Sequence, residues 1–580
     1  MTIDEFEPDD LLSEISRKLA NVSLHLPMEG ENVEKDNLPQ IKYHLNSQDN
    51  DMRLQSVRAL RKYLTQGCSC PENVNDLLAL DILSTLKELL TTSDSNEILF
   101  ECAWIITNIA AGTSEQTNAL VNDDFISALL VCIHSHHTSI SVKAQAAWAL
   151  SNFAGESATL RELLMSKGAT MAVAEALLEI CEEVYDECLE WARTTGDVTI
   201  DDEDLCTDVK AMTWALSNMS RGGFQTAEHW ESYIPAFEAL TRCTVFDHQD
   251  IWIDACWGLS RILFNMHEVT PFYSALKLSP DLCSRLSRLL TNQTVSVVTP
   301  ALRTVINITS GPNEHSALLL ETPLLKNMST LMGKDIPIRI RRDAFLVVAN
   351  LAACDAQLVH QIMEAKDVMH CVASHIHVPG HVFDRSCGRW IAVVSNAYYN
   401  LDEEWKITTE ALWIMCNLAT LGDDDSICEL LVNHRTIPDS LASLLKCSDI
   451  PSNVCLKAVD VIITIINRTN PLTQNSNGTS NPYVQQFIDT DVPASVEKLR
   501  SIFSKSTVFR DRCEVLMSLL TPATDGSEER KHATMAAMFG LQTPCHLRMG
   551  ANKRRILHGF EDGDVRLIEN AVGSLCLSEL

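Results

Sequence analysis

Glycine and proline are scarce, at 21 and 19 of 580 residues, and aromatic residues make up 6%. So few turn formers argue against an all-β fold and favour helices. Basic residues are also short, with 46 Lys and Arg against 77 Asp and Glu and a formal net charge of −31. Such acidity repels phosphates, disfavours a nucleic-acid partner and suits a basic one. The chain contains no run of about 18 apolar residues, which argues against a membrane span. No basic stretch followed by an apolar one lies at Met1, which argues against secretion. Cysteine, by contrast, is plentiful at 20 residues, mostly inside apolar helical stretches (Cys102, Cys256, Cys416). These read as reduced core thiols of a cytosolic or nuclear protein rather than a disulfide framework. A hydrophobic content of 46% with mean hydropathy near zero is that of a folded soluble chain. Its length exceeds what one compact core accommodates and implies several domains or an extended array.

One short pattern recurs along the chain. It reads A-W-I-I-T-N at 103–108, A-W-A-L-S-N at 147–152, T-W-A-L-S-N at 213–218, C-W-G-L-S-R at 256–261 and L-W-I-M-C-N at 412–417. Two copies lack the Trp, L-R-T-V-I-N at 302–307 and F-L-V-V-A-N at 345–350. The key position falls at 104, 148, 214, 257, 303, 346 and 413, with intervals of 44, 66, 43, 46, 43 and 67 residues. Intervals near 44 match armadillo or HEAT units, and the two long ones read as a unit carrying an insertion, near 181–205 and 375–408. Apolar residues recur at three and four spacing, and glycines (Gly112, Gly155, Gly222, Gly311, Gly422) are expected to stop the helices. Trp-less units at 53–64, 456–467 and, more weakly, 494–520 bring the count to about ten. The expected fold is all-α, a right-handed superhelical solenoid of about ten armadillo repeats over 38–521. Residues 1–37, acidic and low in aromatics, read as a mobile segment, and 522–580 as a C-terminal tail.

Trp and Asn four residues apart share one helix face, so repetition lines up a column of each. Core packing explains a single Trp. Asn is poor in helix interiors and costly to bury unpaired, so its recurrence at one phase beside Trp implies an exposed binding stripe. Asn amides would hold the backbone of an extended peptide, and indoles would form slots for Lys or Arg stems. Glu156, Asp254, Asp343 and Glu410 are placed to select cations, although each alone reads better as a solvated helix end.

The stretches 103–117, 145–156, 213–222, 254–260 and 299–311 resemble importin-α, the adaptor family that binds nuclear localisation signals, and the likeness extends over 38–520. The resemblance implies a larger binding site at Trp104, Asn108, Gly112, Thr113, Thr117, Gln145, Trp148, Asn152, Glu156, Trp214, Asn218 and Trp257. It implies a smaller second site at Arg303, Asn307, Asp343, Asn350, Glu410, Trp413 and Asn417, with Arg221 between the two. Cargo proteins with Lys/Arg-rich signals are the implied partners, with neither nucleic acid nor membrane, and the implied location is cytoplasm and nucleus. Departures from the family pattern are specific. Arg261 stands where the family has Asn or Tyr, and Leu346 stands where it has Trp. Residues 1–50 hold only Arg17, Lys18, Lys35 and Lys42 among eleven acidic residues. The family's basic importin-β-binding segment has no counterpart there, which leaves importin-β an open question. It also leaves open a scaffold that keeps basic proteins without transporting them. Lys553-Arg554-Arg555 reads as a solvated tail or an internal pseudo-signal.

No catalytic constellation emerges, so no enzyme activity and no cofactor is expected. His134, His136 and His137 lack a partner at zinc spacing, and Cys68 and Cys70 lack a second pair. The stretch 331–334 lacks the upstream glycine of a phosphate loop, and Asp423, Asp424 and Asp425 read as a solvated loop.

Overall fold

The computed structural model describes residues 33–66, 71–122, 124–195, 198–221, 233–265, 280–384, 389–392, 400–474 and 481–521. Two compact units divide these residues, the first ending at 265 and the second beginning at 280. Each unit is built from repeats of up to three helices, and the third helix of each carries the recurrent pattern. In the first unit these are α1 (Asn50–Thr65), α2 (Asn96–Ala110), α3 (Ile140–Glu156), α4 (Glu203–Met219) and α5 (Gln249–Asn265). In the second they are α6 (Val295–Thr309), α7 (Ile338–Ala352), α8 (Leu401–Leu421), α9 (Ser452–Gln474) and α10 (Thr507–Leu520). Within each unit every such helix packs on the next. About ten armadillo-type repeats were expected, and ten third helices are present among the described residues.

Burial follows the helical period. In α2, Ile98, Cys102, Ile105 and Ile109 are sealed, and in α3 Val142, Ala146, Ala149 and Phe153. Each large aliphatic side chain so buried contributes about 1.5–3 kcal/mol, and neighbouring repeats supply the cover that no single repeat could. Cys102, Cys256 and Cys416 are buried, as expected of core cysteines.

Polar residues set the helix starts. Ser95 accepts from the Ile98 amide, Ser139 from Val142, Asp202 from Leu205 and Asn400 from Glu403. Asp423 does the same for Asp424–Asn433, accepting from Ser426 N at 2.8 Å, so the 423–425 run is a helix start and not a loop. Gly112, Gly311 and Gly422 follow the ends of α2, α6 and α8 as expected, though none of them is left-handed. Gly155 lies inside α3, which ends at the extended Ser157 (φ −159), and Gly422 is extended at φ −71, ψ 162. Left-handed backbone is used instead between first and second helices, at Asp81, Asp124, Gly168 and Asp491, the same place in four repeats. Asp tolerates that conformation better than most residues, and Gly adopts it without strain.

Both insertions are structured in part. Near 181–205 the extra residues extend a helix, Ala169–Thr195, to 27 residues. Val198 then pairs with the stretch before α5, donating to Val245 O at 3.0 Å and accepting from Asp247 N at 2.7 Å. Near 375–408 the chain forms an antiparallel hairpin of β1 (His381–Asp384) and β2 (Arg389–Ala392), with Phe383 opposite Trp390. Alternating β-branched and aromatic residues favour strands there, a small exception to an all-helical chain. Residues 1–32 and 522–580, with the 553–555 run, and Cys68, Cys70 and Gly222 lie outside the described residues.

Candidate functional site

Three columns run along the third helices. Taking the key position as origin, the Asn column is four residues later and a polar or acidic column three residues earlier (Glu101, Gln145, Asp254, Asp343, Glu410). The earlier column was only partly recognised in the sequence, because Glu101 reads locally as an ordinary helix residue.

The Asn column ties repeats together. Asn152 Nδ2 donates to Thr107 O, one repeat back, at 3.0 Å. Asn218 Nδ2 donates to Ser151 Oγ at 2.9 Å, and Asn350 Nδ2 to Ser310 Oγ at 3.0 Å. Arg261 takes the same role in α5, donating from Nη1 to Ser217 O at 2.6 Å and Ser217 Oγ at 2.8 Å. Gly258 allows this approach, since a Cβ there would stand 2.6 Å from Leu240 Cδ1. Asn417 is buried and Asn307 partly so.

The indoles are not the exposed stripe that the sequence suggested. Trp104, Trp148 and Trp214 are only 3%, 6% and 7% exposed, while Trp257 and Trp413 are partly exposed. Neighbouring rings and cations cover them. Trp148 and Trp214 meet edge to face, centroids 5.8 Å apart, and Phe100 covers an edge of Trp104. Arg61, from α1, lies 4.3 Å over the Trp104 ring while its Nε donates to Glu101 Oε2 at 2.5 Å. Arg261 lies 5.7 Å from the Trp257 centroid. Lys457 Nζ, from α9, stands 3.4 Å over Trp413.

Other residues of the larger site divide in two. Gly112, Thr113 and Glu156 are at the surface, and the Ser114 hydroxyl donates to Glu156 Oε1. Thr117 and Gln145 are turned inward. Thr117 Oγ1 donates to Ala110 O, and Gln145 Nε2 donates to Thr107 Oγ1 at 2.7 Å. These two fasten the end of α2 rather than meet solvent. Among the described residues, three polar side-chain atoms in this region are buried without a hydrogen-bond partner: Asn108 Nδ2, Trp148 Nε1 and Asn152 Oδ1. Unmet polar atoms are costly, and these three lie on the adjacent helices α2 and α3.

The smaller site lies in the second unit and is dense with ions. Arg303 Nε pairs with Asp343 Oδ2 at 3.0 Å, and Arg342 bridges Asp343 and Glu403 at 3.4 and 2.8 Å. Arg341 pairs with Glu404, and Lys406 with Glu403 at 2.7 Å. Burial pushes the Asp343 carboxyl up against the opposing pull of Arg303 and Arg342. Burial also pushes Glu410 up to about 7, with Arg342 opposing and Asp343 adding to the rise. Leu346 is buried, so this site has no indole in α7. Asp254 is buried as well, whereas Arg221, at the end of the first unit's α4, is partly exposed. Of the acids expected to face a cationic ligand, only Glu156 is exposed.

An armadillo/beta-catenin-like repeat model matches residues 113–155. Importin subunit alpha-1a of Oryza sativa subsp. japonica is 25% identical over 330 residues, covering 57% of this chain and 56% of its own. Importin subunit alpha-3 of Arabidopsis thaliana is 26% identical over 310 residues, 53% and 52% of the two chains. The chain is thus similar to importin-α subunits and matches an armadillo repeat. Importin subunit alpha-B of Dictyostelium discoideum is 27% identical over 280 residues, 48% of each chain. This chain spans about half the length of the curated relatives it matches, 56% in the rice case. The crystal structure of an engineered protein shares its fold, with a TM-score of 0.57 and 17% identity, covering 87% of this chain and 99% of that one. No described helix is long and apolar enough to cross a membrane. No group of His, Cys, Asp or Glu that could hold a metal occurs among the described residues. His134 Nδ1 bonds its own helix at Leu130 O, 2.8 Å away.

Proposed function

We propose that this chain is a nuclear import adaptor that takes Lys/Arg-rich localisation signals of cargo proteins at Trp104, Asn108, Trp148, Asn152, Trp214 and Asn218. The observation that carries the reading is the trio of unmet polar atoms, Asn108 Nδ2, Trp148 Nε1 and Asn152 Oδ1, on helices α2 and α3. A peptide backbone supplies both the carbonyl and the amide that such a set lacks. The net charge of −31 draws a basic segment in, and the Trp148–Trp214 pair offers the aromatic wall for its stems. The importin-α relatives agree with this assignment at the level of the family. The chain would work in cytoplasm and nucleus, by binding and without catalysis.

A direct test is fluorescence anisotropy of a labelled peptide with five consecutive Lys or Arg residues against the full chain. Saturable binding that weakens with salt is expected, since the partners are screened charges. Asn108→Ala with Asn152→Ala should lower affinity about tenfold, the loss of roughly two peptide hydrogen bonds. Equal binding by a peptide with alanines for the basic residues would refute the reading. A second reading, a scaffold that holds basic proteins without importin-β, draws on the acidic composition of residues 1–50. Stoichiometric capture of importin-β and movement of a basic fluorescent cargo into nuclei would favour the adaptor. Cargo binding without either would favour the scaffold.

A further inference from the structure

Lys457 and Trp413 belong to successive repeats of the second unit. Lys457 lies in the second turn of α9, and its ammonium stands 3.4 Å from the centre of the Trp413 ring on α8. Asp460, one turn on, accepts from the same Nζ at 3.2 Å, and both side chains are buried. Arg512 Nε lies 3.3 Å from the other Asp460 oxygen, so the carboxylate is compensated from two sides. The lysine therefore has an aromatic face, an anion and a shielded stem, which is what a basic side chain of a peptide would seek there. Asp343, another acid of the predicted second site, already holds Arg303 and Arg342.

We propose that Lys457 is a built-in occupant of the Trp413 face, so that the second predicted site is closed to a partner's basic side chains. Short single-cluster basic segments are then taken once per chain, by the first unit. This rests on the basic-peptide reading above and narrows it. A cation placed at contact distance on an indole excludes a second one by both volume and charge. Displacing it would require a peptide to break the Lys457–Asp460 pair and to place a second cation near Arg512.

Isothermal titration of the full chain with the pentabasic peptide reads the number of sites. One peptide per chain is expected for the unaltered protein and for Lys457→Arg, which keeps a cation on the ring. Two per chain are expected for Lys457→Ala, which leaves Asp460 paired with Arg512. Two per chain in the unaltered protein, or one in a folded Lys457→Ala variant, would overturn the proposal. Oxidative footprinting of Trp413 reads the same contact without peptide. Its modification rate should rise about threefold or more in Lys457→Ala and stay unchanged in Lys457→Arg, as expected when a contacting side chain is removed from one ring face. Equal rates in all three would overturn the proposal. Absence of peptide binding in every variant with a raised Trp413 rate would instead sink the basic-peptide reading and leave the Lys457 contact standing.

Discussion

Asn152 reaches back one repeat and donates its amide to the carbonyl of Thr107 at 3.0 Å, while its Oδ1 stays buried and unmet. One side chain thus ties two repeats together and holds an acceptor in reserve. Asn152→Ala should lower stability by about 1 kcal/mol, because the Thr107 carbonyl keeps its helical bond from the Ala111 amide. Asn152→Asp should cost more despite its equal size, since a carboxylate oxygen would then face that carbonyl in a buried setting. Urea unfolding midpoints should rank the proteins as native, then Ala, then Asp.

The Trp pair requires a different experiment from the one an exposed stripe would allow. Trp148 and Trp214 are 6% and 7% exposed and touch edge to face. Trp148→Ala should therefore destabilise by about 3–5 kcal/mol, as other buried aromatic truncations do. Trp148→Phe keeps an aromatic edge against Trp214 and should cost far less. Circular dichroism melts of both variants, set beside peptide titrations, should show a Phe variant that stays folded and binds several-fold more weakly.

The repeats and the helix class were legible because a turn of 3.6 residues stamps apolar spacing on the sequence and W-x-x-x-N recurs at one phase. Exposure of that phase was not legible. Whether Trp148 is open depends on Trp214, a whole repeat and an insertion away, and no local pattern reports where that ring turns. Arg61 over Trp104 and Lys457 over Trp413 escaped notice for the same reason, since each comes from an adjacent repeat. Thr117 and Gln145 had the right place for a binding role, but a hydroxyl or amide near a helix end finds a backbone or neighbouring hydroxyl before it finds solvent. The hairpin at 381–392 was hidden inside what spacing could show only as surplus length.

Glu410 gives a pH signature with a definite sign. Burial raises its carboxyl from 4.5 to about 7, so between those values the folded chain holds a proton that the unfolded chain has released. The folded state binds more protons there, and stability contributed by this group falls as pH rises from about 4.5 to about 7, then levels off. Glu410→Gln cannot ionise and should escape the fall. The stability difference between variant and native chain should grow across that window to about 1–3 kcal/mol. His375, pushed down from 6.5 to about 4 by burial, contributes the opposite slope between those values, but this is common to both chains and cancels in their difference. Urea midpoints at half-unit pH steps would check this, and a difference that stays flat from pH 4.5 to 8 would count against a sealed carboxyl.

Arg261 stands where the adjoining repeats of its unit place Asn, and it performs the same tie, donating to the Ser217 carbonyl at 2.6 Å. Its positive charge is the difference. A basic peptide lying along α4 and α5 meets a like charge there, which the amide of Asn would not present. Arg261→Asn should keep much of the inter-repeat tie and tighten a basic peptide by about threefold to tenfold, the effect of removing one nearby like charge at surface dielectric. Raising salt should shrink that gain, because it is electrostatic. Arg261→Ala removes the charge and the tie together, so it should gain affinity while losing about 1–2 kcal/mol of stability from the two Ser217 bonds. Titrations of the three proteins at low and high salt would separate the charge from the tie. A basic peptide that binds Arg261→Asn no better than the native chain would mean that the guanidinium does not face it.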